Sequence, residues 1–379
     1  MRDRAIEGLV TLACREVWRA SEDGNLIVDR VKTALSDENP LVRMHAAHGF
    51  RAVYANESHH SRIGMLGDLL RREPDANVKH ALLWELGSEA YESPLEVDEI
   101  LRQLAEDQEP TDEEPRDDNG DDLAVDILLT LALRDQTPFA TESLRKWALA
   151  APRSAEALRA IYLVRDYLAP NSDPPVQERA FDFIGIAADA SLERWSENLH
   201  EHSPNALASQ PDLNELNHSL KILDNIANQI YFASGAFDAQ RNGAPSAEPN
   251  DGSDSLVPSD PHERFADSAL PVLMTCSRTK VAPIVHHVVE TLIYLAPLDE
   301  QRALLAVADA AASDGVYAAD PLSGDVVIPY LRRLLAEQRS LVLFDDGGVT
   351  AFRKLLEAFA SSGNESALAL VLTFAEVFR

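Results

Sequence analysis

Two short stretches of this chain repeat each other 36 residues apart, and that recurrence limits the fold more than any other feature. Asp37-Glu38-Asn39-Pro40-Leu41-Val42-Arg43-Met44-His45-Ala46-Ala47 is echoed by Glu73-Pro74-Asp75-Ala76-Asn77-Val78-Lys79-His80-Ala81-Leu82. A looser copy follows at Asn171-Ser172-Asp173-Pro174-Pro175-Val176-Gln177-Glu178-Arg179-Ala180. Each copy has a polar turn, then Val, then a polar or basic residue, then small residues entering an apolar face. That is the outline of a helix hairpin, and the spacing fits one two-helix unit. A chain of 379 residues would otherwise divide into two or three globular domains. Repeats escape that count, because each unit packs only on its neighbours.

Helical periodicity extends along the rest of the chain. Past Pro40, the residues Val42, Ala46, Ala47, Phe50 and Val53 share one face. Ser93-Pro94-Leu95-Glu96 has the form of a capping box with proline in the first turn, which predicts a helix running toward Leu104. Thr137-Pro138 and Asp173-Pro174 open helices by the same device. Further helices are predicted over 123–133, 155–168, 176–190, 213–232, 282–295, 298–311, 326–335, 349–359 and 366–378. No run alternates with the period of a strand, so the predicted class is all-α.

The repeated turn resembles the HEAT-repeat family, a HEAT/armadillo-like α-solenoid of stacked antiparallel helix pairs. In that family an acidic residue sits in the turn within a repeat, Val and Arg or Lys follow, and Ala starts the second helix. Asp37, Val42, Arg43 and Ala46 match in full; Glu73, Val78 and Lys79 match well. Asn171, Val176, Gln177 and Ala180 match in part, having lost both charges. Asp37 is expected to cap the second helix and to reach the basic side chain of Arg43, while Ala46 and Ala47 allow close helix approach. The clear matches cover about the first 90 residues, and beyond about Ala180 the repeats are degenerate.

Met1-Arg2-Asp3-Arg4-Ala5 aligns with Val42-Arg43-Met44-His45-Ala46, so the chain reads as beginning at the second helix of a repeat. Solenoids usually open on a polar capping repeat, so either the chain is a fragment of a longer protein, the favoured reading, or Met1 opens an atypical half-repeat cap. Composition then divides it. HEAT-like repeats occupy 1–107, an acidic loop 108–122, degenerate helical repeats 123–237, a flexible Pro-, Gly- and Ser-rich loop 238–262, and C-terminal helical repeats 263–379. Residues 196–212 form a milder polar connection.

Charge restricts the partners. Formal net charge is -29, with 63 acidic against 34 basic side chains. Basic residues are scattered and interleaved with Asp and Glu, so no stripe exists to neutralise phosphates, which argues against nucleic acid as a direct ligand. No stretch nears the roughly 20 apolar residues of a membrane span, and the N-terminus lacks the layout of a secretion signal. Cys14 and Cys276 lie in apolar helical patterns, which points to buried free thiols and a cytoplasmic setting.

A search for chemistry returns no catalytic, cofactor-binding or metal residue. The pairs His59-His60 and His286-His287, and His200 with His202, lack the i,i+4 spacing of helix-borne metal ligands. Asp117-Asp118-Asn119-Gly120-Asp121-Asp122 fails as a calcium loop, because aligning Gly120 puts Pro115 at the first ligand position and Asp126 at the last. Asp345-Asp346-Gly347-Gly348 is a turn before a helix, and neither a phosphate-binding loop nor a nucleophile elbow occurs. The expected function is a scaffold or recognition module for protein–protein interaction, with no cofactor and a protein partner that presents a basic surface. Two alternatives remain open at this point: a sensor or regulatory region of a larger multidomain protein such as an NTPase, and a HEAT-like enzyme.

Overall fold

The computed structural model describes residues 2–15, 22–107, 119–201, 210–242, 259–312, 316–320 and 322–377. Among them there is no strand, and 21 α-helices carry the fold. The chain divides into two units, Met1–Lys146 and Trp147–Arg379.

In the first unit the helices are α1 (Arg2–Ala13), α2 (Glu22–Ala34), α3 (Pro40–Ala47), α4 (Phe50–Val53), α5 (His59–Arg72), α6 (Ala76–Glu89), α7 (Pro94–Glu106), α8 (Asn119–Thr130) and the start of α9 (Pro138–Leu149). They form two layers. α1, α3, α6 and α8 pack each on the next, and α5 packs on α7 in the other layer. α5 and α6 are joined through only Glu73, Pro74 and Asp75 and pack along each other, so they run antiparallel. Val42, Ala46, Phe50, Val78, Leu82 and Leu86 are buried between the layers. Each of the Val, Leu and Phe side chains contributes about 1.5–3 kcal/mol by leaving water. Close approach is built in at Gly49, where an added Cβ would lie 2.8 Å from Val10 Cγ2, and at Gly87, where it would lie 3.1 Å from Ile127 Cγ1.

The second unit, with most of its helices, repeats the plan at greater length. Its helices are α10 (Ala155–Leu163), α11 (Arg165–Leu168), α12 (Pro174–Glu201), α13 (Gln210–Ser234), α14 (Ala236–Asn242), α15 (Asp260–Ser277), α16 (Ala282–Leu295), α17 (Glu300–Ala311), α18 (Ser323–Glu337), α19 (Arg339–Phe344), α20 (Asp346–Ser361) and α21 (Glu365–Val377). One layer runs α12, α15, α17, α20; the other runs α13, α16, α18, α21. Pairs such as α12 with α13 and α15 with α16 link the layers. Nearest-neighbour stacking of helix pairs in two layers makes each unit a HEAT/armadillo-like α-solenoid, more irregular toward the C-terminus.

Several local expectations are corrected. Asp37 does not cap α3: its carboxylate accepts from Asn39 N, and the Asn39 side chain caps the helix by accepting from Leu41 N. Ser93 makes no side-chain cap, although Pro94 does open α7. The run expected from Pro40 to Val53 breaks at Gly49, and the run over 155–168 breaks at Val164. The helix expected over 123–133 starts earlier, at Asn119, and ends in a π-helical turn, Leu131–Asp135, closed by Gln136 in the left-handed conformation (φ 54°). The acidic loop therefore does not extend to 122, and the residues before it, 108–118, lie outside those described. The 238–262 loop is likewise shortened, since α14 continues to Asn242 and α15 begins at Asp260; 243–258 lie outside the described residues. Cys14 is exposed, not buried, whereas Cys276 is enclosed.

Candidate binding sites

The repeat motif builds a hydrogen-bonded seam along the turns. Val42 and Val78 are buried in the core with Ala46, while Arg43 turns sideways. Its Nη1 donates to the carbonyls of Asp37 (2.8 Å) and Glu38 (3.1 Å), tying down the turn before α3. Its Nε and Nη2 donate to both Glu73 oxygens at 2.8 and 2.6 Å, so the guanidinium reaches the next turn rather than the Asp37 carboxylate. Glu73 in turn accepts from Asp75 N. Lys79 is half-buried at the start of α6, one step along. Val176 and Ala180 are buried in α12, and Gln177 takes the basic position: its Nε2 donates to the carbonyls of Leu168 and Ala169, both at 2.8 Å.

Sequence reasoning missed two buried acid networks. In the first unit Glu89, wholly enclosed at the end of α6, receives Arg62 Nε and Nη2 at 2.8 Å and lies 2.6 Å from His59 Nδ1. Burial pushes its carboxyl up, and the Arg62 and His59 hydrogen bonds more than reverse that, leaving it below the usual carboxylate range. In the second unit Glu290 accepts from Gln240 Nε2 (2.6 Å) and sits 3.2 Å from His286 Nε2 and 3.6 Å from His287 Nδ1. Here too burial opposes, but the two histidines and Gln240 draw the carboxyl down to about 2. His286 is raised by its bond to Glu290 and lies 3.1 Å through Nδ1 from the buried Tyr317 hydroxyl. The signal was present in sequence as His286 and Glu290 at i,i+4, which a search for paired histidines alone passes over. Among the described residues no group of three or more His, Cys, Asp or Glu is placed to hold a metal. Burial raises the Cys276 thiol to about 12, which keeps it protonated and inert.

A groove with room for another molecule lies on α15, α16 and α17. α15 and α17 are neighbours in one layer but touch sparingly, and α16 floors the gap. The resulting groove encloses about 330 Å³ over Leu270, Leu273, Leu292, Leu295 and Leu298. Such a volume matches the lower end of small binding clefts. Its rim is charged: Glu263 and Asp267 are one turn apart on α15, and Asp299 and Arg302 open α17. Arg302 is already engaged, since its Nη1 meets the Asp267 carboxylate, and Asp299 caps α17 by accepting from Arg302 N. Three carboxylates against one paired guanidinium leave the mouth acidic. Sequence gave no hint of the groove, because its leucines are spread over three helices and each fits an ordinary core pattern.

No family model matches the chain, and no curated protein matches it. Among solved structures, Kap121p bound to Pho4p is similar at 12% identity over 95% of this chain and 40% of that chain, with a TM-score of 0.38. Kap121p bound to the SUMO protease Ulp1p is similar at 13% identity over 93% of this chain and 39% of that one, with a TM-score of 0.37. SYS-1 is similar at 13% identity over 88% of this chain and 56% of its own, with a TM-score of 0.25. The chain thus spans from about two fifths to just over half the length of these structures. The superpositions are loose, and the solenoid assignment rests on the two helix layers themselves.

Proposed function

We propose that this protein is an interaction scaffold that grips a protein segment carrying an apolar side chain next to basic residues. The observation behind this reading is the leucine-lined groove between α15 and α17 with its acidic rim. An aliphatic side chain entering the groove leaves water against five leucines. Burying such a side chain is worth about 1.5–3 kcal/mol. Lysine or arginine beside it meets Glu263, Asp267 and Asp299. The net charge of -29 supports the same sign of partner at longer range. Nucleic acid is disfavoured on the same ground, since duplex binding depends on neutralising phosphates with clustered cations.

The test is a binding titration of the full chain against fluorescein-labelled peptides of the pattern Arg-Leu-Arg and Asp-Leu-Asp. The Arg-flanked peptide is expected to bind more tightly, to weaken as salt rises, and to lose binding to Leu270→Asp, whose side chain is only half-buried at the groove mouth. Equal binding of both peptides, or Arg-peptide binding untouched by Leu270→Asp, overturns the reading. So does a robust shift of random duplex DNA at physiological salt.

A further inference from the structure

The first unit carries a second surface of the opposite character. The outward stripe of α6 runs through Asn77, His80, Trp84 and Ser88 and continues to Tyr91 just beyond the helix end. Trp84 is 59% exposed and Tyr91 72% exposed, large aromatic area to leave in water. The Arg134 guanidinium lies 4.4 Å from the Tyr91 ring centroid, a cation–π contact that holds the ring upright at one end of the stripe. Among the described residues no carboxylate pairs with Arg134. Just past the end of α3, the His48 imidazole is held below its usual value by burial first and by His45 and His80 next, so it adds no positive charge.

What the stripe lacks is as informative in a chain with 63 acidic residues. α3 and α4 contain no Asp or Glu. α6 contains Glu85 and Glu89, and both are turned inward and buried. Carboxylates return at the ends, as Asp75 at the N-cap of α6, Glu92 after Tyr91 and Asp135 after Arg134. Asp75 is occupied with the backbone amides of Asn77 and Val78. Trp, Tyr and Arg are the residues that most often dominate binding energy at protein interfaces. An acidic protein that clears its carboxylates from one aromatic stripe leaves a place where a partner's carboxylate is not repelled.

We propose that this stripe docks a protein segment that presents a carboxylate beside an aliphatic side chain, the carboxylate on Arg134 and the aliphatic group on Trp84 and Tyr91. A single guanidinium is too little for a duplex, which carries a phosphate charge about every 1.7 Å. The surface belongs to the first unit and does not depend on the groove of the second.

The experiment uses the full chain and two labelled dodecapeptides, one built of Glu and Leu and the other of Lys and Leu. The Glu-Leu probe is expected to bind, and Trp84→Glu to weaken it by about tenfold or more, the effect of losing an aromatic anchor. Arg134→Ala is expected to weaken it by several-fold, and Leu270→Asp, in the groove, to leave it unchanged. Trp84 and Arg134 sit at the surface, and circular dichroism checks that both variants stay folded. Binding of the Glu-Leu probe that survives Trp84→Glu overturns the proposal, as does no binding up to about 1 mM, an affinity of only about 4 kcal/mol. Preference of the stripe for duplex DNA over the Glu-Leu probe overturns it as well. Loss of Lys-Leu binding alone, in Leu270→Asp, bears on the groove and not on this surface.

Discussion

Gln177 accepts a hydrogen bond of 3.0 Å from Nε of Arg264, a residue 87 positions farther along the chain. With Nε2 it also ties the carbonyls of Leu168 and Ala169. Arg43 does the same two jobs with opposite chemistry, binding the carbonyls of its own turn and the Glu73 carboxylate of the next. In the first unit the motif side chain donates to the next repeat; in the second it accepts from α15. The geometric role persists while the charge has moved to the partner.

This exchange predicts that restoring the family's basic residue is harmful. Gln177→Lys would place an ammonium against the Arg264 guanidinium and remove the only acceptor that Gln177 offers it. A loss of about 1–3 kcal/mol is expected in urea unfolding of the second unit. Gln177→Lys combined with Arg264→Glu is expected to recover part of it. Unchanged stability of the single variant would show that Gln177 and Arg264 do not depend on each other.

Arg43 and Glu73 offer the complementary test. Glu73 is buried, so Arg43→Ala leaves a carboxylate enclosed without its guanidinium. A cost of about 2–4 kcal/mol is expected, somewhat below that of a fully enclosed pair because Arg43 keeps some solvent contact. A double-mutant cycle with Glu73→Gln measures the coupling directly. Coupling near zero would reduce the pair to a surface contact worth little.

Val42 is 1% exposed between the layers of the first unit. Val42→Asp would force an unpaired charge into that core, and several kcal/mol of destabilisation is expected. The readout is the melting temperature, and a value equal to wild type would place Val42 at the surface.

The helices and their pairing were legible because apolar residues at 3.6-residue spacing and Pro-led starts are local signals. The bounds of α16 were read to the residue, and Val42, Val78 and Ala180 are buried. What was not legible involves distance along the chain. Arg43 was expected to serve its own turn through the Asp37 carboxylate; it bonds that turn through backbone carbonyls and gives its charge to Glu73, 30 residues away. No local pattern distinguishes those choices. The groove was invisible for the same reason, since it exists only where α15 and α17 fail to close over α16.

Glu85 gives the first unit a pH dependence with a definite sign. It is 6% exposed on α6, and one of its oxygens, Oε2, has no hydrogen-bond partner. Burial raises its carboxyl to about 7, against smaller opposing pulls from the Arg51 backbone and side-chain charge and a push in the same direction from Glu89. The unfolded chain ionises this group near the ordinary glutamate value of 4.5. Stability linked to Glu85 is therefore complete below that value and declines as pH rises through about 7, because the folded state must then enclose the charge that water would solvate. Glu85→Gln keeps the shape and removes the proton equilibrium. Relative to wild type, the variant is expected to gain on the order of 2–3 kcal/mol between about pH 5 and about pH 8, with the other titrating groups cancelling in the difference. Urea unfolding of both proteins at the two pH values measures it. A difference that stays flat across this range would mean that Glu85 is already ionised and paired in the folded protein.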